Sequence, residues 1–115
     1  MTNKPDHAKI RRWSRHRIDV RLTAFANRET KELKFTGQAS DISIGGLAVH
    51  VAADLQQGEP VRVEFTLPYS RLPLRVDARV NNRTGNRYGL EFVALSIEQR
   101  DGIQRLCDTL TLLET

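Results

Sequence analysis

The chain has a single cysteine, Cys107, so no disulfide can form within it, and no C-x-x-C pair or Cys/His cluster is available for structural zinc. Nowhere do about 20 apolar residues run together, which excludes a membrane-spanning helix. The first ten residues, Met1 to Ile10, include Lys4, Pro5, Asp6 and Lys9 and carry no apolar segment, so they do not read as a secretory leader. A soluble, cytoplasmic protein is the expectation. There is also no glycine-framed serine nucleophile, and His7, His16 and His50 are scattered over separate segments, so neither a catalytic residue nor a metal site nor a cofactor is expected. Internal repeats and low-complexity tracts are missing. Aromatic residues are scarce, and Phe35, Phe65, Tyr88 and Phe92 fall at inward strand positions where packing is the default.

What is present is an uneven charge. The first 22 residues carry seven basic and two acidic side chains, a local +5, whereas the other 93 carry eleven basic and twelve acidic. The positive field therefore belongs to the amino-terminal segment and not to the domain as a whole. At 115 residues one hydrophobic core is expected, burying roughly two-thirds of the surface the unfolded chain exposes.

From residue 16 to residue 93 the dominant signal is alternation with a period of two. His16, Ile18, Val20, Leu22 and Ala24 alternate with Arg17, Asp19, Arg21 and Thr23. Leu33, Phe35, Gly37 and Ala39 share one face of the next segment, and Leu47, Val49 and Val51 follow a Gly-Gly turn. Val61, Val63, Phe65 and Leu67 come after Gly58-Glu59-Pro60, and Leu74, Val76, Ala78 and Val80 after the 68–73 loop. Tyr88, Leu90 and Phe92 complete the series beyond the Arg83-Thr84-Gly85-Asn86 turn. Six closely spaced strands with one buried face each favour antiparallel hairpins, and closing them into a small barrel removes the exposed edges.

The period changes at Leu95. Ser96 and Gln99 form an S-x-x-Q capping box, after which Ile103, Leu106, Cys107, Leu110 and Leu113 recur at helical spacing. Leu95 meets Arg100 at the fourth helical position, so no hydrophobic staple supports this start. The single apolar stripe is expected against the barrel, with Cys107 as a buried, inert thiol on it. The fold class is thus mainly β: a six-stranded antiparallel barrel over residues 16–93, a carboxy-terminal helix over 97–113, and a flexible basic arm over 1–10 preceding a single domain, 11–115.

Two short motifs carry chemistry. Arg11-Arg12-Trp13-Ser14-Arg15 is an R-x-x-x-R arrangement with an extra arginine inside. Arginine binds phosphate bidentately, grips guanine at O6 and N7, or stacks on a purine face. A solvated basic tail that binds polyanions weakly explains the run equally well when it is taken alone. Asp41-Ile42-Ser43-Ile44-Gly45-Gly46 reads D-x-S-x-x-G. On a strand, Asp41 and Ser43 would share a face with their Cα atoms roughly 6.6 Å apart, a spacing suited to one ligand edge. The carboxylate can accept from guanine N1–H and its amino group, while the hydroxyl can reach phosphate or base. Gly45 and Gly46 mark a turn that calls for positive φ or close backbone approach. Considered alone, Asp41 and Ser43 are more often turn-capping residues than a site.

Both motifs in this order, inside a six-strand-plus-helix pattern, resemble the PilZ domain family of bacterial cyclic di-GMP receptors. The resemblance runs from Arg11 to the terminal helix and includes Tyr88-Gly89-Leu90-Glu91-Phe92, which looks like the family's last barrel strand. It implies a PilZ-like, split-barrel type of fold whose arginine loop closes over the ligand. Arg11, Arg12 and Arg15 would then hold phosphate and guanine edges, with Asp41, Ser43 and Gly46 opposite. Gly45, Arg83 and Trp13 stand as secondary candidates. Asn81-Asn82-Arg83 occupies a place where many family members carry an aromatic near the bound base.

The expected role is a receptor or adaptor that performs no catalysis, takes cyclic di-GMP as ligand and passes the signal to an effector protein through ordering of the arginine loop. Single-stranded nucleic-acid binding is the main alternative, disfavoured because it wants aromatics on an outer face. A ligand-free adaptor of the same fold is the other, and it would have no need of the motif residues.

Overall fold

The computed structural model describes residues 14–68, 70 and 73–114. The arm over residues 1–10, Arg11, Arg12 and Trp13 lie outside these described residues. Six strands follow in order: β1 (His16–Arg28), β2 (Lys31–Ser43), β3 (Gly46–Val51), β4 (Pro60–Thr66), β5 (Pro73–Thr84) and β6 (Arg87–Val93), then helix α1 (Ile97–Leu113). All neighbours are antiparallel, and the sheet closes in the order β1-β2-β3-β6-β5-β4, with β4 pairing back onto β1. The alternation in the sequence therefore marks a true inside and outside.

The interior is filled by the expected positions. Leu22, Ala24, Ala39, Val49, Val63, Val76, Val80, Tyr88 and Leu90 are buried, and Phe35 is half-buried against them. Tyr88 is 0% exposed. Its hydroxyl donates to the Ala53 carbonyl and accepts from the Leu55 N–H at 3.0 Å, so a large ring is buried without an orphaned polar atom.

Helix α1 begins as its sequence dictates: Ser96 Oγ accepts from the Gln99 N–H at 3.0 Å, and Gln99 Oε1 accepts from the Ser96 N–H at 2.8 Å. It lies against β1 and β2 and buries Ile103, Leu106 and Cys107. Burial pushes the Cys107 thiol up to about 11, as expected for an inert cysteine. Leu113 departs from the expected stripe and is 65% exposed, because the last turn of the helix carries it away from the strands that cover Ile103. Just beyond the helix, the Glu114 carboxylate meets Nδ1 of His16, a side chain only 4% exposed, at 3.1 Å.

One end of the barrel is tied by Arg28, whose guanidinium donates to both carboxylate oxygens of Glu59 at 2.9 and 3.0 Å and to the Asp54 carbonyl at 2.6 Å. The Arg28 hydrogen bond holds the Glu59 carboxyl below the usual carboxylate range, and burial opposes this only in part. A lowered folded value means that the stabilisation is present at neutral pH and is lost as acid titrates the group. Glu59→Gln should therefore cost on the order of 1 kcal/mol at pH 7. It should also flatten the loss of stability below about pH 4.5, where the wild-type carboxylate would protonate. Urea midpoints measured from pH 3 to 7 check both.

Candidate binding groove

Strand β2 changes phase partway along its length. Leu33 through Ala39 face inward at odd positions, and an unbroken alternation would turn Asp41 and Ser43 into the core. Pairing with β3 runs Ala39 to Val49 and then Asp41 to Ala48, leaving Ser40 as the extra residue of a β-bulge. Ile42 consequently fills the interior, while Asp41 and Ser43 share the outer face, as the D-x-S spacing predicts for a strand. Strand β5 does the same. Val80 pairs with Leu90 and Asn82 with Gly89, so Asn81 is the extra residue, Asn82 turns outward, and Arg83 lies on the same side as the buried Tyr88.

The register then assembles a site on the barrel exterior. One row runs Asp41, Ala48, Gly89, Asn82 across β2, β3, β6 and β5, and a second runs Ser43, Gly46, Glu91, Arg79. Ala48 and Gly89 in the first row and Gly46 in the second are small residues, which leaves a groove of about 840 Å³ between the polar side chains around them. Arg15 lines it from the start of the chain's described part, Arg87 from β6 and Arg100 from α1.

Gly46 is required for close approach and not for backbone freedom: a Cβ there would lie 2.0 Å from the Leu90 carbonyl oxygen, and its φ is not in the left-handed region. A Cβ on Gly89 would instead meet the side-chain amide of Asn82 at 2.8 Å, so that amide lies across the floor.

Asp41 Oδ2 accepts from Arg87 Nη2 at 3.0 Å, with the two side chains 26% and 41% exposed. Ser43 Oγ accepts from the Gly45 N–H at 3.1 Å, and the Gly45 carbonyl accepts from the Phe92 N–H at 2.9 Å, which pins the turn to β6. Ser43 is thus a turn residue as well as a groove residue, and its O–H remains a donor. Guanidinium groups, the Asp41 and Glu91 carboxylates and an amide around small floor residues can bind an anion that also carries a donor-rich heterocyclic edge.

Of the residues singled out in the sequence, Arg15, Asp41, Ser43, Gly45 and Gly46 all line this groove. Arg83 does not. Its guanidinium lies 5.1 Å from the Tyr88 ring centroid and donates to the Asp54 carboxylate and the Gly85 carbonyl, an orientation that follows from the extra residue at Asn81. The groove adds Arg87, Glu91, Asn82 and Arg100, three of which lie outside both motifs and the Asn81–Arg83 stretch. Alternation places Arg87 outward, but only the register reveals that it reaches Asp41, 46 residues earlier.

Together these features define a small closed β-barrel with a polar, partly cationic groove on its outer wall. The chain belongs to the PilZ domain family, which it matches over residues 9–109. Among solved structures it is similar to the PilZ domain of CeSA from a cellulose-synthesizing bacterium, with 24% identity and a TM-score of 0.64 over 89% of this chain and 99% of that one. The PilZ domain of YcgR from Escherichia coli, solved with cyclic di-GMP, gives 18% identity and a TM-score of 0.68 over 90% and 93%. MotI/DgrA, an inhibitor of motility from Bacillus subtilis, gives 20% and 0.73 over 91% of this chain, which spans about half (52%) of that one. No curated protein is similar enough to count as a match.

The two glycines of the floor should respond differently to the same change. Gly46→Ala drives a methyl into backbone and should cost about 2 to 3 kcal/mol. Gly89→Ala meets only the movable end of Asn82 and should cost less than about 1 kcal/mol. Denaturant midpoints of the two variants decide this.

Proposed function

We propose that the protein is a cyclic di-GMP receptor that works by binding alone, without catalysis, in the bacterial cytoplasm. The observation that carries this reading is the phase change in β2, which brings Asp41, Ser43 and Gly46 to the outer wall beside Arg15. A carboxylate there matches the N1–H and amino donors of guanine, and arginines match phosphate and the O6/N7 edge. Family membership and the likeness to a PilZ domain solved with cyclic di-GMP support it. Arg11 and Arg12 are assigned with Arg15 to the cationic half of the site, and ordering of this segment over the groove is the proposed signal to an effector protein. An oligonucleotide-binding surface is the weaker reading, since Phe65, Tyr88 and Phe92 are buried and Phe25, the outward phenylalanine of β1, does not line the groove.

Calorimetric titration should give saturable binding of cyclic di-GMP, well ahead of GTP. Arg15→Ala and Asp41→Ala should each weaken it by more than about tenfold, because each leaves a charged ligand group unpaired. Equal affinity for GTP, or no heat at micromolar protein, would rule the receptor reading out.

A further inference from the structure

We infer that Arg87 is a positioning residue that fixes the Asp41 carboxylate for guanine and so sets the selectivity of the groove, an inference that rests on the receptor reading above. Asp41 is flanked in register by Arg17 on β1 and Ala48 on β3, yet among the described residues it is Arg87, on β6, that holds it. Asp41 pairs with Ala48 and Arg87 with His50, two positions apart on β3, so the bond crosses β3 diagonally, past an Ala48 side chain too short to intervene. Arg87 itself registers beside His50 on β3 and Thr84 on β5, neither of which offers a competing negative charge.

The geometry leaves the carboxylate usable. An ionised carboxylate has about four acceptor positions, and Arg87 occupies one of them on Oδ2. The rest remain for two adjacent donors. Guanine presents such a pair, N1–H and its exocyclic amino group, whereas adenine presents an acceptor at N1. A carboxylate held by one oxygen cannot rotate freely, so the ordering cost is met before the ligand arrives and the mismatch with adenine cannot be relieved by turning away. Arg87 thereby acts through Asp41 and not on the ligand.

The test is a double-variant cycle read by calorimetry with cyclic di-GMP and cyclic di-AMP, using wild type, Arg87→Ala, Arg87→Lys, Asp41→Ala and the Arg87→Ala/Asp41→Ala pair. Arg87→Ala should weaken cyclic di-GMP by about fivefold or more, the scale of coupling between residues in contact. It should narrow the gap between the two dinucleotides, and Arg87→Lys should recover part of the loss. In the Asp41→Ala background, removing Arg87 should change affinity by less than about twofold, since the group it positions is already gone. Arg62→Ala removes another part-exposed, carboxylate-paired arginine, on β4, and should bind as wild type. The inference is overturned if Arg87→Ala binds cyclic di-GMP as well as or better than wild type. It is overturned too if the loss persists without Asp41, which would make Arg87 a direct ligand contact, or if both dinucleotides lose equally. Failure of wild type to bind at all would instead sink the receptor reading, and this one with it.

Discussion

A closed barrel gives every strand residue one of two places, inside or outside, and the choice at one residue dictates the choice at the next. The rest of the structure depends on this constraint. An apolar run such as Leu33 to Ala39 commits its strand to a phase, and that phase can change only where one strand carries a residue its neighbour does not match. Without Ser40 as that extra residue, the Asp41 carboxylate would face the interior, where a charge costs several kcal/mol unless it is paired. The fold and the site are therefore decided by the same local event. The matching event at Asn81 presents Asn82 on the opposite side of the groove and sends Arg83 toward Tyr88.

The floor between these two walls imposes a second condition. Gly46 lies so close to the Leu90 carbonyl that no side chain fits, and Ala48 and Gly89 keep the adjoining positions low. An outer barrel face is ordinarily covered by side chains that shield the ladder and contribute cross-strand contacts. Here that cover is given up at Gly46, Ala48 and Gly89, while the inward residues of the same strands, Leu47, Val49, Tyr88 and Leu90, are all buried. A tightly packed interior lets the exterior of these strands be left bare without loosening them.

Much of this was legible in the residues themselves. Alternation marked the six strands and nearly all of the core, and Ser96 with Gln99 marked the start of the helix, because those signals are local and each repeats several times. The polar pair Asp41 and Ser43 against apolar Ile42 was also a visible sign that the phase had changed from that of Ala39. Arg87 was not legible. Its partner lies two strands away and 46 residues back, and such a pairing exists only once register is known. Leu113 looked like core because helical spacing says which face a residue shares but not how far the covering surface extends. Arg83 was misplaced for a different reason: an extra residue in β5 exchanged its role with that of Asn82.

At the start of β1 a groove residue and a core residue are neighbours in the chain. Arg15 is exposed at the groove, and the next residue, His16, is buried and bonded to Glu114 beyond the end of α1. One peptide unit separates a side chain free to meet a ligand from one held by the core. The residues after His16 are fixed by pairing of β1 with β2 and, further on, with β4. The helix end bonded to His16 exposes Leu112 and Leu113 and lies at the margin of the packed stripe formed by Ile103, Leu106 and Cys107. Local openings cost least where few apolar contacts must be broken, so this exposed end of the helix, and not the His16–Ile42 pair beside it, is the least secured part of the contact between helix and barrel.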